Sequence, residues 1–135
     1  MASDTQPPDF KYKKLTGSII GAAMNVHSEL GNGFREIVYH RSMMHELILQ
    51  RLSFQSEITM PLYYKNAKVG SRRVDLLVEN KILVELKAVG EINAQHISQV
   101  LNYLKAYKLE VALLLNFGEN SLTFKRIAQL KNYQN

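Results

Sequence analysis

The run Arg73-Val74-Asp75-Leu76-Leu77-Val78-Glu79-Asn80-Lys81-Ile82-Leu83-Val84-Glu85-Leu86-Lys87 constrains this chain most, because two apolar stretches flank one short polar break. Such a pattern predicts a β-hairpin. Side chains on a strand alternate between faces, so Ile82, Val84 and Leu86 share one face while Leu83, Glu85 and Lys87 share the other. If Glu79-Asn80-Lys81 is a three-residue loop, Asp75 lies directly across from Glu85. A two-residue loop would put the two acids on opposite faces, because a slip of one residue reverses every side chain.

Two carboxylates facing each other across a strand pair repel, and burying either one unpaired costs more, so the arrangement calls for a compensating cation. Hard oxygen ligands favour Mg²⁺ or Mn²⁺ over zinc. The plainer alternative pairs Glu85 with Lys87 or Lys81 on a solvated face and leaves Asp75 at a strand end. Apolar neighbours on both sides of each acid argue for central strands instead.

With 135 residues the chain is expected to form one domain over residues 13–135, behind a flexible tail over residues 1–12 that is polar and proline-containing. It has no cysteine, which excludes disulfides, thiolate zinc sites and a cysteine nucleophile. The first residues lack the basic start and apolar run of a secretory signal, and the longest apolar stretch, Val111 to Leu115, is far too short for a bilayer. The expectation is a cytoplasmic protein with no membrane partner.

The net charge of +5 suits an anionic partner. Lys65, Lys68, Arg72 and Arg73 precede the carboxylates, and Lys105, Lys108, Lys125, Arg126 and Lys131 recur later. These residues could follow the phosphates of a duplex, or be ordinary solubilising charge.

Periodicity predicts a helix from Lys14 to Leu30, stopped by Gly31-Asn32-Gly33, and a second from about Arg35 to Leu52 with Ile37, Val38, Met44, Leu47 and Ile48 on its buried side. Phe54 to Tyr64 reads as a strand in which Pro61 demands an edge or a bulge. After the Asp75 and Glu85 strands come a helix from about Ala94 to Tyr107, a buried strand from Leu109 to Asn116 and a last one from Ser121 to Ile127. The order ααβββαββ implies an α/β fold, a mixed β-sheet flanked by helices, with the third helix crossing over to a parallel strand.

These residues together resemble the PD-(D/E)XK nuclease superfamily, and within it the small bacterial proteins named after a GxxExxY motif. That motif reads Gly33-Phe34-Arg35-Glu36-Ile37-Val38-Tyr39 here, and the likeness continues through Arg73 to Val78, Val84-Glu85-Leu86-Lys87-Ala88, Gln99 to Leu104 and Leu113 to Gly118. One departure is Arg73-Val74 where the superfamily name has a proline before the aspartate. The resemblance implies a restriction-endonuclease-like core with Asp75, Glu85 and the Leu86 carbonyl as metal ligands, Lys87 as active-site lysine, and Gln99 and Tyr103 as helical partners of the site. It implies that Glu36 reaches the metal directly or through water, and that His27 and Tyr39 face nucleic acid together with Arg72, Arg73 and Lys105. Read alone, Glu36 is a solvated helix carboxylate, His27 and Tyr103 are packing residues, and Gln99 is a surface amide.

The activity implied is Mg²⁺- or Mn²⁺-dependent hydrolysis of DNA phosphodiesters, with RNA or branched DNA as other substrates. A rival reading is an inactive nuclease-fold module that binds nucleic acid or a protein. Met43 and Met44 offer either a homodimer contact or core filling.

Overall fold

The computed structural model describes residues 12–129. Helices α1 (Lys13–Leu30) and α2 (Glu36–Leu49) precede strands β1 (Phe54–Tyr64), β2 (Ala67–Val78) and β3 (Ile82–Lys87). Helix α3 (Ala94–Tyr107) then leads to β4 (Val111–Asn116) and β5 (Thr123–Ala128). The sheet order is β1-β2-β3-β4-β5, with β3 and β4 parallel and the remaining neighbours antiparallel. This is the expected α/β order, and α3 is the crossover. Most of the tail, residues 1–11, lies outside the described residues, as does Lys131, whereas Tyr12 is already the N-cap of α1.

Each face of the sheet carries its own core. Ile19, Ala22, Ala23 and Val26 of α1 and Tyr39, Met43 and Leu47 of α2 pack on Leu76, Val78, Val84, Leu86, Leu113 and Leu115. On the other face, Val100, Tyr103 and Leu104 of α3 cover Val74, Leu83, Ala112, Leu114 and Ile127. β4 is buried along its whole length and β3 almost so, because helices cover both sides.

The buried side of α2 differs from expectation. Tyr39, His40, Met43 and Leu47 face inward, while Ile37 and Ile48 are exposed. Polar and apolar residues alternate around this helix without a clear stripe, so periodicity could not choose a face; polar partners do. The Tyr39 hydroxyl donates to the Gly31 carbonyl at 2.6 Å, and a ring nitrogen of His40 meets Ser56 Oγ at 2.8 Å. Met43 is fully buried and Met44, partly buried, packs against the same core, so both fill it.

The β1–β2 hairpin turns at Lys65-Asn66, both with positive φ, the geometry that matches strand twist. Pro61 sits on an edge strand as required, close to a register shift between Leu62 and Tyr63. Only the inner end of β2, Leu76 to Val78, pairs with β3. The rest of the hairpin runs on as a two-stranded ribbon.

That ribbon does not keep its faces. Phe54 packs in the α1/α2 core whereas Met60, of the same parity, packs against α3. Leu76 and Val74 divide in the same way. Between them Glu57 has φ 54°, a left-handed conformation rare in a strand, at the register position opposite Asp75. Alternation therefore breaks at Glu57 and Asp75 together and turns the ribbon toward α3, where the Tyr107 hydroxyl donates to the Met60 carbonyl at 3.2 Å.

Candidate active site

The β2–β3 turn has three residues, Glu79 to Lys81, between the paired Val78 and Ile82. It is fastened to the chain entering β1: Glu79 N–H donates to the Ser53 carbonyl at 2.9 Å, and a Glu79 carboxylate oxygen accepts from Ser53 N–H at 2.6 Å and Ser53 Oγ at 3.0 Å. The two bonds that the carboxylate accepts, that from Ser53 N–H foremost, lower the Glu79 pKa. An odd-numbered loop held in this way puts Asp75 opposite Glu85, as the sequence predicts for a three-residue loop.

Ladder pairing between β2 and β3 stops at Leu76 and Val84. One step on, side chains replace it. Asp75 N–H donates to a Glu85 carboxylate oxygen at 3.0 Å, and Leu86 N–H donates to an Asp75 carboxylate oxygen at 2.8 Å. Each acid is thus oriented by the other's strand, and the two headgroups are brought together where the strands part.

Glu85 is 3 % exposed. Burial first, and then the Asp75 charge, push its pKa up from 4.5 to about 7, against the lowering effect of the Asp75 N–H bond, Arg72 and Lys87. A shift of this size corresponds to roughly 3 kcal/mol against the anion. The Arg72 guanidinium stands 3.8 Å from Glu85, but it is more than a third exposed. Exposed pairs contribute at most about 1 kcal/mol, so Arg72 offsets only part of the penalty.

Arg72 reaches this place because of the break in alternation; in a straight strand it would share the α1/α2 face with Leu76. Its guanidinium also lies over the Tyr103 ring, 5.3 Å from the centroid, while its Nε is buried without a hydrogen-bond partner. Burial raises the Tyr103 and Tyr107 phenols above their ordinary pKa, so both stay protonated donors at neutral pH. Lys87 follows Glu85 on the same face of β3 and is half-buried. Gln99 lies one turn before Tyr103 on α3, exposed.

Other expected residues fall elsewhere. Tyr39 is fully buried, accepts from Phe34 N–H at 3.2 Å and stacks on Phe117 at 4.6 Å, so a nucleic-acid contact by Tyr39 is corrected to a structural role. Its phenol closes the turn in which Gly33 takes φ 103°, which links the glycine and tyrosine of the GxxExxY spacing physically. His27 is buried, with Nε2 2.9 Å from the Glu119 carbonyl and its ring stacked on Phe117. That is a positioning contact, as the plainer reading of His27 has it. Glu36 opens α2 at the surface. Among the described residues no three acidic or imidazole side chains form a group able to hold an ion, so Glu36 is not part of a preformed cage with Asp75 and Glu85. Arg73 is mostly exposed and pairs with Glu57 at 3.4 Å, and Lys105 is exposed on α3.

Sequence reasoning missed Asn116. It is fully buried at the end of β4; its Oδ1 accepts from Val89 and Gly118 N–H, and its Nδ2 donates to the Val89 carbonyl and to Glu119, all within 3.0 Å. The side chain ties the segment leaving Lys87 to the β4–β5 loop. Its position in the Leu113 to Gly118 motif, polar after a five-residue apolar run, was the available signal.

The donor set fits a hard divalent cation. It is all oxygen, it carries a repulsion that Arg72 and Lys87 relieve only in part, and two carboxylates suffice for Mg²⁺ when substrate phosphates and water complete its shell. A hollow of about 600 Å³ between α1 and α2, lined by Asn25, Glu29, Arg41, His45 and Glu46, shares no residue with this pair.

Residues 13–127 match the PD-(D/E)XK nuclease superfamily, and the chain belongs to it. A mixed sheet with carboxylates at the parting of two central strands is what that class of protein is built around. The chain is also similar to the crystal structure of SSO0001, with a TM-score of 0.56 over 90 % of this chain and 60 % of that one, at 17 % identity; this likeness concerns the fold. The chain therefore spans about three-fifths of that protein's length. Comparison with curated proteins finds no match. No helix among the described residues is long and apolar enough to cross a membrane.

Proposed function

We propose that this chain is a divalent-metal-dependent nuclease that hydrolyses DNA phosphodiester bonds at Asp75, Glu85 and Lys87. The observation that carries the reading is the reciprocal locking of Asp75 and Glu85, which holds two carboxylates together with Glu85 buried, a setting that disfavours its anion. Such a setting is sustained where a cation is to be bound.

Asp75, Glu85 and the Leu86 carbonyl would hold that cation, Mg²⁺ or Mn²⁺, with Glu36 contributing through water. When bound, the cation supplies polarisation of a phosphoryl oxygen and acidification of water. The chain's own groups do the rest. Lys87 orients the attacking water and steadies the developing phosphorane charge as a fixed cationic donor. Tyr103 donates its phenol proton to a phosphate oxygen, Gln99 holds the strand one helical turn away, and Arg72, Arg73 and Lys105 add charge along the path. The products are a 5′-phosphate and a 3′-hydroxyl, as the superfamily resemblance implies.

Cleavage of linear, circular, single-stranded and branched DNA with Mg²⁺, Mn²⁺ or chelator tests the reading. The expected outcome is metal-dependent cutting that drops by at least about 100-fold in Asp75→Ala and Lys87→Ala while DNA affinity persists. Cutting that survives Asp75→Ala sinks it.

A second reading, a nuclease-fold module that binds without turnover, is favoured by one feature: Arg72 already stands as a cation beside Glu85. It predicts salt-sensitive affinity, no turnover with any metal, and cutting that does not emerge in Arg72→Gln.

A further inference from the structure

Resting on the nucleic-acid reading above, we infer that the tip of the β1–β2 ribbon is a separate binding site for unpaired DNA bases, with Tyr63 and Tyr64 as stacking platforms. Both rings are more than 60 % exposed, at the end of an element that touches no other strand beyond Leu76. Large exposed aromatics on a projecting hairpin have no core to serve.

Charge distribution supplies the identity of the occupant. From Ile58 to Val74 the ribbon carries Lys65, Lys68, Arg72 and Arg73 and no acidic residue, in a chain whose net charge is +5. Lys65 Nζ lies 5.3 Å from the Tyr64 ring centroid, so a phosphate-binding charge stands beside a stacking surface. Rings interleaved with lysines bind a single strand through its bases and backbone at once. A ribbon built to read duplex edges would instead present bidentate forks, arginine, asparagine or glutamine, toward the major groove. Here the tip offers Asn66 alone of these types, and it occupies the turn itself.

Geometry connects the tip to the acids. The seven steps from Asp75 to Lys68 span about 23 Å of strand, so the tip meets the DNA several nucleotides from the scissile phosphate. The break at Glu57 and Asp75 leans the ribbon to the α3 face, which is the face of Glu85 and Lys87. A strand leaving the carboxylates and following the outside of the ribbon would reach its tip, because the ribbon itself packs on α3. The tight Lys65-Asn66 turn presents the rings on a rigid element.

The test is binding without cleavage. Fluorescence anisotropy in chelator, with labelled oligothymidylate of about 20 nucleotides and a blunt duplex of equal length, compares the wild type with Tyr63→Ala/Tyr64→Ala and Tyr63→Phe/Tyr64→Phe. Loss of stacking should weaken single-strand binding by about five-fold or more in the alanine protein, with the phenylalanine protein within about two-fold of wild type and duplex affinity little changed. Equal single-strand affinity in the alanine and wild-type proteins overturns the inference but leaves the nuclease reading standing. So does an equal loss on duplex. No binding of either DNA by the wild type also overturns the inference, while the nuclease reading is decided by the cleavage assay with metal. A melting curve for each variant excludes unfolding, to which exposed tip residues contribute little.

Discussion

Between pH 4.5 and about 7 the folded chain keeps a proton on Glu85 that the unfolded chain has released, because burial and the Asp75 charge disfavour the anion. The sign follows from linkage: a raised acid pKa makes the native state the better proton binder, so this group's contribution to stability falls as pH rises through that window. Glu85→Gln removes the titration and keeps an acceptor for Asp75 N–H. In chelator, the stability of Glu85→Gln relative to wild type should therefore increase between pH 5 and 8, by up to roughly 3 kcal/mol, and urea melts of both proteins across that range check it. A difference that stays flat would mean that Glu85 is not strained as its burial implies. At this scale the sequence was legible where parity alone decides, as for Asp75 against Glu85. It was silent for Arg72, because nothing in Arg72-Arg73-Val74-Asp75 announces that alternation breaks there. It misled for Tyr39, whose aromatic ring reads as available until the Gly31 carbonyl and Phe34 N–H are found on its hydroxyl.

The eight elements follow their sequence signals closely, since buried strands between turn residues and a well-capped α3 leave little choice of type. Asn93 caps α3 by accepting from His96 N–H at 3.0 Å, while a His96 ring nitrogen accepts from Asn93 N–H. Where elements meet, sequence is a poorer guide. Gly118, between β4 and β5, has no special φ, yet a Cβ there would collide with the backbone of Ala88 and Val89. The glycine exists to let the β4–β5 loop approach the segment leaving β3, the junction that Asn116 also ties. Gly118→Ala should cost about 1–3 kcal/mol of stability, read from the urea midpoint with an unchanged m-value, and should lower any DNA cleavage through displacement of Lys87. A neutral midpoint would show that the loop yields easily. The face of α2 was illegible for a related reason: a helix whose polar and apolar residues are interspersed is oriented by the polar groups that find partners, and those partners lie outside the helix.

Across the whole molecule, Lys65 and Lys68 stand near the ribbon tip in a segment, Ile58 to Val74, without an acidic residue, whereas Arg72 and Arg73 at its base pair with Glu85 and Glu57. A polyanion held by the two tip lysines should bind with a salt dependence that they set in part. On single-stranded DNA, removing Lys65 or Lys68 should each reduce the slope of log K against log salt by about 0.7, measured by anisotropy from low to moderate salt; an unchanged slope would place the strand on another surface. Net charge forecast an anionic partner without saying where it would lie, since the bend that brings Arg72 beside Glu85 coincides with Glu57, a residue whose type gives no hint of a left-handed backbone.

The three-residue turn at Glu79 to Lys81 carries one more implication. It works as a parity bit for the carboxylate pair: which side of the sheet Asp75 serves is decided by whether a remote loop has an odd or even count. Gain or loss of one residue there would leave every motif letter intact while sending one acid to the opposite core. A relative could in this way fall silent by length alone, with a motif that still reads as complete.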